Sequence, residues 1–248
     1  YNTGTVSGTG TGSGDRDGVG GIVGEGKYSL IIEYCANKGT VNATAGFHHI
    51  GGLVGYFGEN SSGYDNYVYI KESYNSGTVE VTQSGANSTY VGGIAGHLED
   101  SNTSSWNVHI KNCYNRGSVL ARTSNETYHA GGIVGKASYY LAMEYCYSSG
   151  RVRSQEEGGS YYRAPGMAGC HADGETLFPD SRLNQLFIEE GTAWDDWNES
   201  LPVIIDWGSY FDAADKSDKG SYGSFDFNSI WDIKSDINGG YPYLRNNP

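Results

Sequence analysis

One segment recurs along the first two thirds of the chain and limits what the chain can fold into. Its clearest copy runs Ile110-Lys111-Asn112-Cys113-Tyr114-Asn115-Arg116-Gly117-Ser118-Val119 and, after about a dozen mostly polar residues, Gly131-Gly132-Ile133-Val134-Gly135. Earlier copies are Tyr1–Val6 with Gly20–Gly24, Ile32–Val41 with Gly51–Gly55, and Ile70–Val79 with Gly92–Gly96. A weakened copy follows, Met143–Val152 with Pro165–Gly169. The period is roughly 31–41 residues, and the short apolar runs lack the 3.6-residue rhythm of a helical repeat. The expected fold is all-β: a parallel β-solenoid of about five turns over residues 1–171, with equivalent strands about 4.8 Å apart.

Stacking turns equivalent residues into ladders. Asn37, Asn75 and Asn115 form one, begun by Asn2 and ended by Ser148. Asparagine suits a corner because its amide bonds nearby backbone, and stacked amides can bond one another. Gly39, Gly77 and Gly117 follow two residues on, and positive φ at a corner is the expected reason for them. Val41, Val79 and Val119 form an aliphatic core ladder. Cys35, Ser73, Cys113 and Cys146 form a ladder of small residues, read as buried free thiols rather than disulfides. The Gly-Gly-Ile-Val-Gly strand is apolar on both parities. One face is expected to line the interior, and the other needs a cover that the sequence does not name.

The spacing from each Gly-Gly-Ile-Val-Gly motif to the next Ile or Met anchor is 8, 15, 14 and 8 residues. The two long connections carry Tyr56, Phe57, Tyr64, Tyr67, Tyr69 and Trp106 among Ser, Asn and Gly. Such residues suit recognition, so Tyr56, Phe57, Tyr64, Tyr67 and Trp106 form a candidate partner surface. The alternative is that they cover the apolar strand. Past Ala172 the repeat is lost. Residues 172–248 are expected to form an irregular, aromatic-rich cap packed on the solenoid, with a helical turn or two over Ser181–Glu190. Four of the five tryptophans fall there, and a carbohydrate platform is the rival use for them.

Charge excludes some functions. The net charge is −13 and no basic stripe exists, so nucleic acid is not an expected partner. No apolar run approaches the ~18–20 residues of a membrane helix, and no insertion of this segment is expected. An acidic, lysine-poor surface is of the extracellular kind. Opening at Tyr1 inside a repeat suggests a piece excised from a longer protein. Gly18–Gly24 has the look of a nucleotide loop, but its recurrence argues against a cofactor, and none is expected. The histidines repeat no ligand spacing, so no metal is expected. Glu156-Glu157 and Asp195-Asp196 are sequence neighbours whose carboxylates diverge on a strand, so no catalytic residues are assigned.

The Gly-Gly-Ile/Leu-Val-Gly element with its Cys-Tyr-Asn-x-Gly-x-Val partner resembles the GLUG motif. That motif occurs in bacterial surface and secreted proteins, including adhesin-like proteins and immunoglobulin-A-cleaving metallopeptidases. Leu183-Asn184, Trp194, Leu201-Pro202-Val203, Trp231-Asp232-Ile233 and Tyr241–Leu244 are similar to segments that close such arrays. The resemblance implies a non-catalytic module on a bacterial cell surface, an adhesin or a spacer, whose partner is a host or bacterial surface protein or a glycan. No His-Glu-x-x-His is present for peptidase chemistry. The alternative functions are a carbohydrate-binding module and, behind it, a polysaccharide lyase or hydrolase.

Overall fold

A valine that recurs once per repeat can be buried in every repeat only if the copies stack in register. The computed structural model stacks them so, pairing Val6 with Val41, Val41 with Val79, Val79 with Val119 and Val119 with Val152 in parallel strands. It describes residues 1–9, 17–44, 46, 48–58, 67–83, 89–99, 108–123, 128–137, 141–156, 167–171, 182–189, 208–211 and 215–247. Among these there are strands, bends and short 3-10 turns but no α-helix, and the fold is an all-β, solenoid-like stack of parallel sheets.

Four parallel sheets carry the repeats. Sheet B holds β1 (Val6–Thr9), β6 (Val41–Thr44), β11 (Val79–Gln83), β16 (Val119–Thr123) and β20 (Val152–Glu156). Sheet C holds β2 (Gly18–Gly20), β7 (His49–Gly51), β12 (Thr89–Gly92) and β17 (Tyr128–Gly131). Sheet D holds β3 (Val23–Gly26), β8 (Val54–Phe57), β13 (Ala95–Leu98), β18 (Val134–Ala137) and β21 (Ala168–His171). Sheet A has two limbs. The first is β4 (Ser29–Glu33), β9 (Tyr67–Lys71), β14 (Val108–Lys111) and the start of β19 (Leu141–Ser148); the second is β5 (Ala36–Asn37), β10 (Tyr74–Asn75), β15 (Tyr114–Asn115) and the end of β19. Tyr34, Glu72, Asn112 and Tyr145, all with positive φ, turn the chain from one limb to the other.

The core has two lobes. Sheets A and D enclose Ile70, Ile110, Val54, Ala95 and Val134 with Leu53, Ile94 and Ile133. Sheets B and C enclose Val41, Val79, Val119, Ile50 and Val91. This arrangement revises the reading of Gly-Gly-Ile-Val-Gly. The motif is not one strand but a bend: Gly52-Leu53 and Gly93-Ile94 lie between strands of sheets C and D. A bend lets consecutive residues face the same way, so Leu53 and Val54 enter the same core and no second apolar face needs covering. The backs of sheets C and D instead approach each other. A Cβ on Gly96 would meet the Ile50 backbone N at 2.5 Å, and one on Gly135 the Val91 N at 2.5 Å.

The asparagine ladder sits where the two lobes meet. Asn2 Nδ2 donates to Asn37 Oδ1 (2.8 Å), Asn37 to Asn75 (2.7 Å) and Asn75 to Asn115 (2.8 Å). Each amide also closes a local turn. Asn75 Nδ2 donates to the Gly77 carbonyl at 2.8 Å, and Asn75 Oδ1 accepts from the Gly77 N–H at 3.2 Å. The bends of sheets C and D press against this ladder, and a Cβ on Gly52 would lie 2.5 Å from Asn75 Cγ. Gly39, Gly77 and Gly117 do not take the positive φ expected of them; among the described glycines only Gly46, Gly223, Gly239 and Gly240 do. Close approach is the cause, since a Cβ on Gly77 would run into the Gly39 carbonyl and one on Gly117 into that of Gly77.

Beyond the repeats, the helical expectation for Ser181–Glu190 fails. Arg182–Glu189 is a strand, β22, parallel to β19 from Ala142↔Arg182 to Ser148↔Ile188, and β23 (Gly208–Phe211) pairs on its far side. The open edge of β19 supplies a row of backbone partners, whereas so short an isolated helix is marginal. Residues 215–247 pack along the flank of sheet A. Tyr222, Phe225, Trp231, Tyr241 and Leu244 cover Ala36, Tyr74, Tyr114 and Tyr147 on the second limb, whose tyrosine rings stack at 4.6 and 5.1 Å. Tyr147 Oη donates to the Pro242 carbonyl (2.6 Å), Arg116 to Asn238 Oδ1 (2.8 Å), and Asn247 Nδ2 to the Cys35 carbonyl (3.0 Å). The short antiparallel pair β24 (Trp231–Asp232) and β25 (Tyr243–Leu244) holds this segment together.

Asn75→Ala removes one hydrogen bond from each of four buried groups, Asn37 Nδ2, Asn115 Oδ1 and both polar groups of Gly77, while Asn37 keeps its bond to Gly39, Asn115 its bond from Gly117 and the Gly77 N–H its bond to the Asn37 carbonyl. At about 0.5–1.5 kcal/mol for each buried hydrogen bond lost, urea unfolding should show a loss of about 3 kcal/mol. Asn42→Ala, in the same stack but partly exposed, should stay within about 0.5 kcal/mol.

Candidate functional site

The second limb of sheet A is covered, whereas the first limb shows an exposed aromatic row. Strands β9 and β14 alternate strictly. Val68 and Ile70, like Val108 and Ile110, point into the core, which turns Tyr69, His109 and the following lysines outward. In-register pairing aligns Ile31 with Tyr69, Tyr69 with His109 and His109 with Ala142. Tyr69 and His109 stack face to face at 4.6 Å, and Tyr67 meets Tyr69 edge-on at 5.4 Å. Ile31, on the edge strand β4, is 56% exposed, and Tyr69, on the neighbouring inner strand β9, is 41% exposed.

Two positions on, the ladder reads Glu33, Lys71, Lys111, Glu144. Lys71 Nζ lies 2.8 Å from Glu33 and Lys111 Nζ 2.9 Å from Glu144. The hydrogen bond to Glu33 raises the Lys71 ammonium above the usual lysine value, so it is charged at neutral pH. Tyr69, His109 and Ala142 of the first ladder and Glu33, Lys71, Lys111 and Glu144 of the second line a shallow depression of about 360 Å³.

The residues singled out from the sequence fall in different places. Tyr56 and Phe57 are not in a loop; they continue strand β8 and are buried, at 1% and 2% exposure. They therefore offer no surface to a partner. Tyr67 is exposed at the start of β9, while Tyr64 and Trp106 lie outside the described residues. Asn37, Asn75, Asn115, Gly39, Gly77, Gly117, Val41, Val79 and Val119 are the packing elements described above. Of the tail tryptophans, Trp231 is buried against Phe225 at 4.9 Å; Trp194, Trp197 and Trp207 lie outside the described residues. No motif marks His109, Lys71 or Lys111. Their signal is the alternation in Val68-Tyr69-Ile70-Lys71 and Val108-His109-Ile110-Lys111.

A second polar cluster fills the space between sheets C and D. His49 stacks on Tyr56 (4.7 Å) and Tyr90 (5.5 Å), with His97 4.8 Å away. Tyr90 also stacks on His129 (5.4 Å), and Lys136 Nζ lies 4.5 Å from the centre of its ring. The Tyr56 hydroxyl donates to Glu99. Burial, then the charges of His49 and Lys136, hold the His97 imidazole well below the usual histidine range. The cluster is a packing layer, with His49 and His97 only 3% and 6% exposed.

Cys113 and Cys146 are buried free thiols, and burial followed by the neighbouring Cys146 pushes the Cys113 thiol well up, away from nucleophilic thiolate. Cys35 is free and half-buried. Among the described residues no group of three or more His, Cys, Asp or Glu is arranged to hold a metal ion, and no helix is long and apolar enough to cross a membrane. No family model, no curated protein and no solved structure matches the chain.

The depressed His97 makes stability pH-dependent. The folded protein keeps this imidazole neutral, whereas the unfolded chain protonates it near pH ~6.5. Stability is therefore full above that value and falls as pH drops from ~6.5 toward the depressed folded value, by up to about 1.4 kcal/mol per pH unit for one histidine. Urea unfolding between pH 7.5 and 5 should show this slope, and His97→Gln should flatten it.

Proposed function

We propose that the chain is a non-catalytic, extracellular repeat module of a bacterial surface protein, acting as an adhesin or as a spacer that presents other domains. In this reading the solenoid has about five turns, and residues 172–248 serve as its cap. One observation carries the proposal: the row of exposed Ile31 and Tyr69 with half-buried His109 stacked beside them, on a sheet whose other limb is sealed by the chain's own C-terminal segment. Exposed aromatics held by a rigid ladder suit a surface that recognises something. The GLUG-like repeats support the same assignment and its bacterial, cell-surface setting.

A second reading is a carbohydrate-binding module. The mixed apolar and polar groups of Tyr67, Tyr69 and His109 favour it, since sugar rings present both C–H faces and hydroxyls.

Incubation with a panel of plant, bacterial and host polysaccharides tests the non-catalytic part. No reducing ends and no unsaturated product should appear above the buffer blank, and reproducible release would overturn it. Beads coated with the chain should adhere to host or bacterial cells more than albumin-coated beads do; equal adhesion removes the adhesin role.

A further inference from the structure

The charged ladder on the first limb of sheet A has an unusual order. Lys71 and Lys111 are register partners, so their backbones are one strand spacing apart, about 4.8 Å. Like charges set directly opposite each other are destabilising in a sheet. Here each ammonium is held from its outer side, Lys71 by Glu33 and Lys111 by Glu144, which leaves two cations adjacent at the centre. All four side chains are substantially exposed, and an exposed ion pair contributes only about 0–1 kcal/mol. Each lysine can therefore exchange its glutamate for another carboxylate at little cost. A carboxylate placed between the two ammonium groups would also remove their repulsion.

The groups beside this pair narrow the class of ligand. Tyr69 and His109 bring a hydroxyl and an imidazole, and Ile31 adds exposed apolar surface. A bare anion would use the lysines and nothing else. A ring carrying a carboxylate, hydroxyls and apolar C–H edges would use all of these groups. The ladder is linear along the stacking axis, which suits a linear ligand. Overall charge does not oppose this. Residues 1–171 hold 14 acids against 11 bases (14 − 11, net −3), while residues 172–248 hold 15 against 5 (15 − 5, net −10), so most of the acidity is outside the repeats.

We propose that this face binds an acidic polysaccharide of the uronic-acid type, running along the stacking axis with a carboxylate between Lys71 and Lys111 and sugar rings against Tyr69 and His109. The proposal rests on the reading of the chain as a recognition module and adds its ligand class. Binding is by exchange of ion pairs and contact, with no bond made or broken.

The test uses the full chain in a binding titration with polygalacturonate, its fully methyl-esterified form, and polyglutamate. Polygalacturonate should bind, with affinity falling as salt rises from 50 to 300 mM, because exposed charges are screened within about 10 Å at 0.1 M. The methyl ester, with the same backbone and no charge, should bind at least tenfold more weakly, and so should polyglutamate, which has the charge without the sugar. Lys71→Gln with Lys111→Gln should cost tenfold or more. Arg122→Gln, which removes a cation from sheet B, should cost nothing, and both variants are first checked for native circular dichroism. Absence of polygalacturonate binding, equal binding of the ester, or an unchanged affinity in the double lysine variant overturns the proposal. Equal binding of polyglutamate overturns the sugar assignment. Cleavage of the polysaccharide during the titration would instead overturn the non-catalytic reading on which the proposal stands.

Discussion

The asparagine ladder is the contact on which the rest of the structure depends. Asn2, Asn37 and Asn75 each donate along the stack to the next amide and also close the backbone turn at the glycine two residues on. A buried amide costs free energy unless its donors and acceptor are satisfied. Here the condition is met only when neighbouring repeats are in register. The register of the valines, tyrosines and lysines follows from that one alignment. So does the two-lobed core, because the bends of sheets C and D must carry glycine to lie against the amides.

Much of this was legible in the sequence. The period, the parallel stacking and the identities of the ladders follow from Asn37, Asn75, Asn115 and the valines that accompany them. What was hidden has physical reasons. Gly-Gly-Ile-Val-Gly is apolar at consecutive positions, which in a strand means two faces; a bend folds both residues to the same side, and periodicity alone cannot distinguish these cases. Arg182–Glu189 has the composition of a short amphipathic helix, and only the exposed edge of β19 makes it a strand. Tyr56 and Phe57 count as loop residues by spacing but are drawn into β8 by pairing with His97 and Leu98.

The candidate surface is less legible in the sequence than the fold. Tyr74 and Tyr69 are both outward-facing tyrosines of sheet A, five residues apart, and nothing local separates them. One is sealed by Trp231 and its neighbours, and the other is exposed. The distinction depends on where a segment more than a hundred residues away lies down. The alternation in the sequence turns Lys71 and Lys111 outward, and the register of β9 with β14 sets them side by side.

The ladder also has a direction. From Asn2 to Asn115 the three amide–amide bonds run the same way, each N–H donating to the oxygen of the amide in the following repeat. The amide dipoles therefore add rather than cancel, as peptide dipoles do along a helix. The column is negative at its first residue and positive at its last. Two such columns can be joined only head to tail, because reversing one would set oxygen against oxygen or donor against donor. A row of neutral side chains thus gives the solenoid an electrical polarity along its axis that its net charge does not reveal.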